Sequence, residues 1–517
     1  MSNATNKISG NRRIAKNTFF LYLRMLLLIF ITFYSTKIIL IALGVDDFGL
    51  YNVIAGFVSM AAFLNTSLSN SIQRFLNFEL GKGENNDFEK VFSISLLSQI
   101  IVSIFVILLA ETIGLWLLNT QMSIPQNRIM AANIVYQFSV VSLIVKILQA
   151  PYNAVIVAYE KMQFYAYITL IEVLLQLGIA YIMLIDLNNK LEWYSFGMFF
   201  IIVITFIWCI IYSKKIHTLL EFKLTFDKQI FNKLYSFSGW NLLGSASGVL
   251  MHQGINVIIN IFFNVAINAA RGLSFQVIAG VQRFISSFQL AINPQIVQSF
   301  ASGDKTRYLT LCYANFKISF YLMWIIALPL LLSCEHVLEL WLDIVPDYTI
   351  EFVKVSLIWG MVEALGSSVS VPMNATGNIK KYQIVISLIK VTSLPITVLV
   401  FQMGFAPIWS LYICVFIDLI AQYFRIKIWT FEVGDSIIHY AKSIIIPGIV
   451  ILISSYFLCN FISRNVLTDN PILSILYSII ITLPINLGLL FFIGFNYSER
   501  NIILEKFKWK ITCRRKL

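Results

Sequence analysis

Ionisable side chains stand inside runs of this sequence apolar enough to be buried in lipid. Bases among them include Arg24 and Lys37 in the run 17–43, Lys146 in 129–150, Arg283 in 272–300, Lys354 in 349–371 and Lys390 in 382–404. Arg271 stands just before the run that holds Arg283, and the acids in such runs are Glu111, Glu172, Glu363 and Asp418. A charge at mid-depth in a bilayer costs about 2.5–3.5 kcal/mol. Six bases facing lipid would cost about 15 kcal/mol, as much as a whole folding free energy, so they cannot all do so. Sheltered bases suit an anion, above all a phosphate held by arginine through charge-assisted hydrogen bonds. Sheltered carboxylates suit a coupling cation, or balance the bases.

Depth sorts these residues. Lys146 and Lys354 stand about five residues from the ends of their runs, close enough for the stem to carry the ammonium to the interface. Arg24 and Lys37 are about 10 Å deep at 1.5 Å per residue, and both snorkelling and a sheltered position remain open for them. Arg283, Lys390, Glu172, Glu363 and Asp418 lie nearer mid-span, where they either line a cavity or form structural ion pairs. A polar seam accompanies them: Asn241, His252, Gln253, Asn256 and Asn260, then Gln276 and Gln282. His252, Asn256 and Asn260 recur every four residues and share a helix face, where amides either join helices or line a path.

The elements that must position these groups are membrane helices. The chain of 517 residues is 58% hydrophobic and only 12% charged, with a mean hydropathy of +0.79, more apolar surface than a soluble fold can hide. Apolar windows long enough to cross about 30 Å of hydrocarbon fall at about fourteen places. They are 17–43, 50–70, 91–118, 129–150, 164–186, 193–212, 235–263, 272–300, 310–333, 349–371, 382–404, 406–424, 443–462 and 472–495. The fold class is therefore all-α and polytopic. The net charge of +12 is no nucleic-acid footprint, because about 28 of the 38 Lys and Arg fall in alternate loops and the termini. That pattern puts both termini in the cytoplasm, and the first run is a membrane span rather than a cleaved leader.

Weak internal repetition divides the chain. Pro151, Asn153 and Ala154 in APYNAVIVAYEKMQFY answer Pro372, Asn374 and Ala375 in VPMNATGNIKKYQ. The loop QRFLNFELGKG answers QIVQSFASGD in nearly the same register, pairing Phe78 with Phe300 and Gly81 with Gly303. Equal offset and equal charge sidedness predict two parallel six-helix lobes, 1–212 and 235–424. A cytoplasmic linker, 213–234, joins them, and 425–517 adds two helices and a basic tail. Parallel repeats of this kind belong to transporters that work by alternating access.

Enzymatic templates are missing: there is no HExxH, Walker A, GxSxG or dinucleotide fingerprint, and no loop long enough for a catalytic domain. The six cysteines show no paired spacing, so neither a disulfide framework nor a metal site is expected, and no cofactor. The acidic stretch CEHVLELWLDIVPDY reads as an external loop. The last two windows contain no charge and suit either lipid-facing helices or a groove for a long lipid tail.

ALGVDDFGLYNV after the first span, the QRFLNFELGKG loop and the twelve-plus-two plan resemble the polysaccharide-transporter branch of the multidrug/oligosaccharidyl-lipid/polysaccharide exporter superfamily, in particular the O-antigen flippases. Gly44, Phe48, Gly49 and Tyr51 stand where that branch has its LGxxxFGxY turn. The resemblance implies a flippase that carries an undecaprenyl-pyrophosphate-linked oligosaccharide from the cytoplasmic to the periplasmic leaflet of the bacterial inner membrane, without ATP. Related lipid II flippases have bases on the first helix and an arginine near the start of the eighth, where NAARGL places Arg271. Arg24, Lys37, Arg271, Arg283, Lys390, His252 and Asn256 would then bind substrate. Glu172, Glu363 and Asp418 would couple transport to H+ or Na+, or balance charge. Membrane lipids and polysaccharide-assembly proteins are the implied partners, with no nucleic acid. A drug or cation antiporter of the same superfamily, and a membrane glycan polymerase or ligase, are the competing readings.

Overall fold

A bilayer core offers peptide groups no water, so a chain this apolar must satisfy them within helices or a closed barrel. The computed structural model takes the first route: all its described elements are helical. It describes residues 2–59, 62–83, 87–120, 126–185, 188–217, 227–263, 265–342, 345–463, 470–497 and 499–500. The side chains of Lys37, Phe48, Gly49 and Asn260, the basic tail from 501 and Cys513 lie outside the described residues. Among the described residues nine helices are long and apolar enough to cross a membrane.

The chain forms two compact units. The first comprises 1–245 and 290–308. It holds α1 (Ser2–Ser59), α2 (Ala62–Gly81), α3 (Phe88–Leu109), α4 (Leu115–Thr120), α5 (Ile129–Ala158), α6 (Met162–Ile182) and α7 (Lys190–Ile216). The first half of α8 (Lys228–Phe262), the last turns of α9 (Val265–Ala301) and the start of α10 (Lys305–Leu332) complete it. Helix α5 is its hub, packed on α1, α2, α3 and α7. Ile72, Leu76, Phe92, Ala154, Val155 and Leu234 form one of its buried cores. Gly81 lies so close to α9 that a Cβ there would stand 2.5 Å from Ala301 Cβ and 2.6 Å from the Gln298 carbonyl, so only glycine fits.

The second unit comprises 246–289 and 309–517. It holds the rest of α8, α9 and α10, with α11 (Cys334–Trp341), α12 (Thr349–Thr376), α13 (Lys380–Val391), α14 (Ser393–Gln402), α15 (Trp409–Val433), α16 (Ile437–Tyr440), α17 (Ile446–Ser463) and α18 (Pro471–Leu489). Helices α12 and α15 pack along each other, and α17 packs on α18. Asn470 caps α18 by accepting from the backbone of Ile472 and Leu473, with Pro471 at the first helical position. The window 382–404 is broken at Thr392, where Pro395 has no N–H to return to the Val391 carbonyl. The acidic stretch expected as loop begins as helix α11, which buries Cys334 and Leu338.

Hydropathy windows understate most helices. Helices α8, α9 and α10 contain 35, 37 and 28 residues, and even 35 residues span about 52 Å, well beyond the hydrocarbon. The stretch Gln73–Gly81, read as a loop, is the last part of α2, and Gln295–Ala301 is the end of α9. The repeat register moves accordingly. Gly83 and Gly303, each two residues past a helix end and each at φ 75°, are the matching turns, so Gly303 answers Gly83 rather than Gly81. Pro151 and Pro372 both lie inside the final turns of long helices, α5 and α12.

Candidate functional site

The densest group of buried charge lies in the second unit. Asp418, on α15, is wholly buried, with its Oδ1 3.5 Å from Lys390 Nζ and 3.7 Å from an Arg425 guanidinium nitrogen. Trp359 donates from Nε1 to Asp418 Oδ2 at 2.7 Å. Arg425 and Asp418 are seven residues apart, two turns on one face of α15. Gly366 of α12 makes room for that guanidinium, since a Cβ there would fall 2.5 Å from it.

Glu363, also on α12, is held differently. Gln282 donates to its Oε2 at 2.6 Å, and His252 Nε2 stands 3.6 Å from its Oε1. The imidazole packs between aromatic rings, with Trp359 and Phe275 each at a centroid distance of 4.9 Å. Through Trp359 the Glu363 and Asp418 groups meet.

Arg271 was placed just outside its span by the sequence, but it stands in the second turn of α9 and is only 3% exposed. It donates to the Asn256 side chain and to the His252 carbonyl at 3.4 Å. Its Nε and remaining terminal nitrogen have no partner, and no carboxylate lies within ion-pair distance among the described residues. Among the described residues Arg271, Lys390 and Arg425 are grouped with Glu363 and Asp418, three bases to two acids, so positive charge is in excess. That arrangement can receive an anion.

The other expected site residues are dispersed. Arg283 is exposed on α9. Arg24 lies over the Tyr165 ring at 5.1 Å in the first unit, and its Nε is buried without a partner. Lys37 lies outside the described side chains. Lys354 pairs with Glu335 at 3.3 Å, both well exposed, as a base at an interface would. Lys146 departs from expectation: α5 runs on to Ala158, so the residue is mid-helix rather than near an end, and it lines a cavity shared with Glu172. Glu111 sits in a π-turn, Ala110–Gly114, and accepts from Gln137 at 3.3 Å.

An apolar groove of about 880 Å³ completes the second unit. Trp324, Met361, Ile426, Ile449, Leu452 and Phe457 contribute to its walls. Helices α16 and α17 line it, whereas α18, expected to share such a groove, packs against α11 and α17 instead.

Two buried bases of the second unit escaped the sequence reading. Arg425 fell one residue past the apolar window 406–424, although its spacing of seven from Asp418 was a usable signal. Lys317, only 2% exposed on α10, is bonded to both carboxylate oxygens of Glu499 at 3.1 and 2.8 Å, a partner 182 residues away that no local pattern reveals. Among the described residues no three His, Cys, Asp or Glu converge as a metal site, and the five described cysteines are buried and form no disulfide.

No protein-family model matches the chain, and no curated protein matches it in sequence. Solved structures do match in fold. An outward-facing multidrug-resistance MATE family transporter of the MOP superfamily superposes with a TM-score of 0.71 at 11% identity, over 82% of this chain and 96% of its own. A MATE protein in complex with MaD3S gives 0.69 at 12% identity, over 82% and 97%. A MOP superfamily transporter from Pyrococcus furiosus, described by the reverse polarity of its binding pocket and a suggested different function, gives 0.69 at 11% identity, over 81% and 96%. This chain is a multi-pass, all-helical membrane protein with the fold of MATE transporters.

Proposed function

We propose that the protein is a transporter whose cargo carries a phosphate-type anion, in the finer form a flippase for an undecaprenyl-pyrophosphate-linked oligosaccharide in the bacterial inner membrane. One observation carries the reading: Arg271 is buried, charged and unpaired by any carboxylate among the described residues. A buried charge without a counter-ion is costly, and a bound phosphate would remove that cost while gaining charge-assisted hydrogen bonds. His252 and Asn256 hold the guanidinium in place. Lys390, already engaged by Asp418, contributes field rather than a direct contact, and Arg283 and Arg24 remain candidates for the path. The apolar groove beside α17 suits the long hydrocarbon tail of such a cargo. The Pyrococcus furiosus neighbour, described by a binding pocket of reverse polarity and a suggested different function, supports the view that this fold admits pockets of more than one polarity.

An inside-negative potential contributes about 2.3 kcal/mol per charge per 100 mV, which favours outward movement of an anion and inward return of an empty basic site. Alternating access of the lobes 1–212 and 235–424 would supply the movement, with residues 425–517 as additional helices and tail.

The competing reading is a drug or cation antiporter. The multidrug-resistance neighbour favours it, as do two carboxylates, the wholly buried Asp418 and the half-buried Glu363. The two separate by cargo. Reconstituted vesicles should translocate a fluorescent isoprenyl-pyrophosphate glycan and lose that activity in Arg271→Gln. Efflux of a lipophilic cation, lost in Asp418→Asn and untouched by Arg271→Gln, would favour the antiporter.

A further inference from the structure

Two charges of opposite sign that the anion site does not use stand together in the first unit. Lys146 and Glu172 line one cavity of about 350 Å³, near the small end of ligand pockets, which run from roughly 300 to 1,000 Å³. Both stand mid-helix, Lys146 twelve residues before the end of α5 and Glu172 ten from either end of α6. Neither forms an ion pair or hydrogen bond with the other or with another described side chain. An ammonium and a carboxylate that stand mid-helix and open to one space mark that space as polar by construction.

Helical spacing brings further polar groups to it. Asn65, Ser69 and Gln73 recur every four residues along α2, and Gln149 and Asn153 follow Lys146 by three and seven along α5. Several are already oriented. Ser69 donates to Asn65 at 3.1 Å, Gln149 donates to Cys209 at 3.1 Å, and Cys209 donates to Asn153 at 3.2 Å. These bonds use the acceptor end of Asn153 and the donor end of Gln149, so each amide keeps a group of the opposite kind for further bonding.

The chemistry of the lining selects its occupant. The two fixed charges cancel, so neither a bare cation nor a bare anion gains a net field. The rest of the lining is apolar, from Ala150, Ala154, Val157, Tyr165, Ile168 and Leu290, a surface that the C–H face of a ring can cover while its hydroxyls meet the polar groups. A hydroxyl both donates and accepts, and so it can meet the acceptor-only carboxylate, the donor-only ammonium and the two-way amides in turn. We propose that this cavity binds a neutral, hydroxyl-rich ring, that is, one sugar residue. Glu172 then serves as a hydroxyl acceptor rather than an ion-coupling group. The inference extends the reading above by naming a second part of the cargo, and its test avoids the anion site.

The full-length protein in lipid nanodiscs is titrated by calorimetry with methyl glucoside, N-acetylglucosamine, tetraphenylphosphonium and pyrophosphate. At least one sugar should bind saturably at millimolar concentration, and Glu172→Gln and Gln73→Leu should each weaken it about tenfold. Both variants are checked for folding by size-exclusion profile and melting temperature. Pyrophosphate reports on the anion site separately, so absence of its binding beside saturable sugar binding would count against that site and not this one. No saturable binding of either sugar, sugar binding equal to wild type in both cavity variants, or displacement of the sugar by tetraphenylphosphonium would overturn the proposal.

Discussion

Lys390 Nζ stands 3.5 Å from the Oδ1 of Asp418, a carboxylate with no exposed surface. Arg425 approaches the same oxygen from two turns along α15, so one acid holds two bases. The arrangement fixes α13 to α15 just before the break at Thr392.

Removing the acid should therefore cost more than removing one base. Asp418→Asn leaves Lys390 and Arg425 without a counter-charge, and breaking a buried pair this way costs about 3–5 kcal/mol. Lys390→Met should cost less, because Arg425 remains. Thermal melting in nanodiscs checks the order, and the double variant should recover part of the loss.

Close packing of Gly81 on α9 gives a second prediction. Gly81→Leu forces a side chain into the space of Ala301 and the Gln298 backbone, at a cost of about 1–3 kcal/mol from overpacking. A lowered melting temperature, with a smaller drop for Gly81→Ala, is the expected result. Gly83→Ala, where the strain is in φ rather than in space, should lower it through backbone conformation alone.

The cap of α18 offers a milder perturbation. Asn470→Ala removes the acceptor for two backbone N–H groups and should cost about 1 kcal/mol. Hydrogen exchange at Ile472 and Leu473 should quicken while the rest of the second unit is unchanged.

Glu363 and Lys317 separate charge that bears on anion binding from charge that is structural. Glu499→Gln strips Lys317 of its partner and should destabilise without altering anion binding. Glu363→Gln keeps a hydrogen bond to Gln282 but loses the charge facing His252, and should tighten anion binding slightly by removing a repelling acid.

Much of this was legible in the sequence, for a physical reason. Hydrophobic runs report the apolar girth of each helix, so the all-helical fold could be read directly, and Glu363, Lys390 and Asp418 stood out as charges within such runs. They do not report helix ends beyond the hydrocarbon, which is why Arg271 and Arg425 were set outside their helices and Lys146 near an end. The partners were hidden for another reason: Lys390 finds Asp418, Gln282 finds Glu363 and Lys317 finds Glu499 only through packing of distant segments. Sequence spacing showed that His252 and Asn256 share a face, and the structure adds what that face does, which is to hold Arg271.

Arg271 is the residue on which the account turns. Binding of a short-chain isoprenyl pyrophosphate to the purified protein, measured by calorimetry for wild type, Arg271→Gln and Arg271→Lys, tests it most directly. The account predicts clear binding to wild type, a loss of about tenfold to a hundredfold in Arg271→Gln, and partial retention in Arg271→Lys. Equal affinity across all three folded proteins would contradict it.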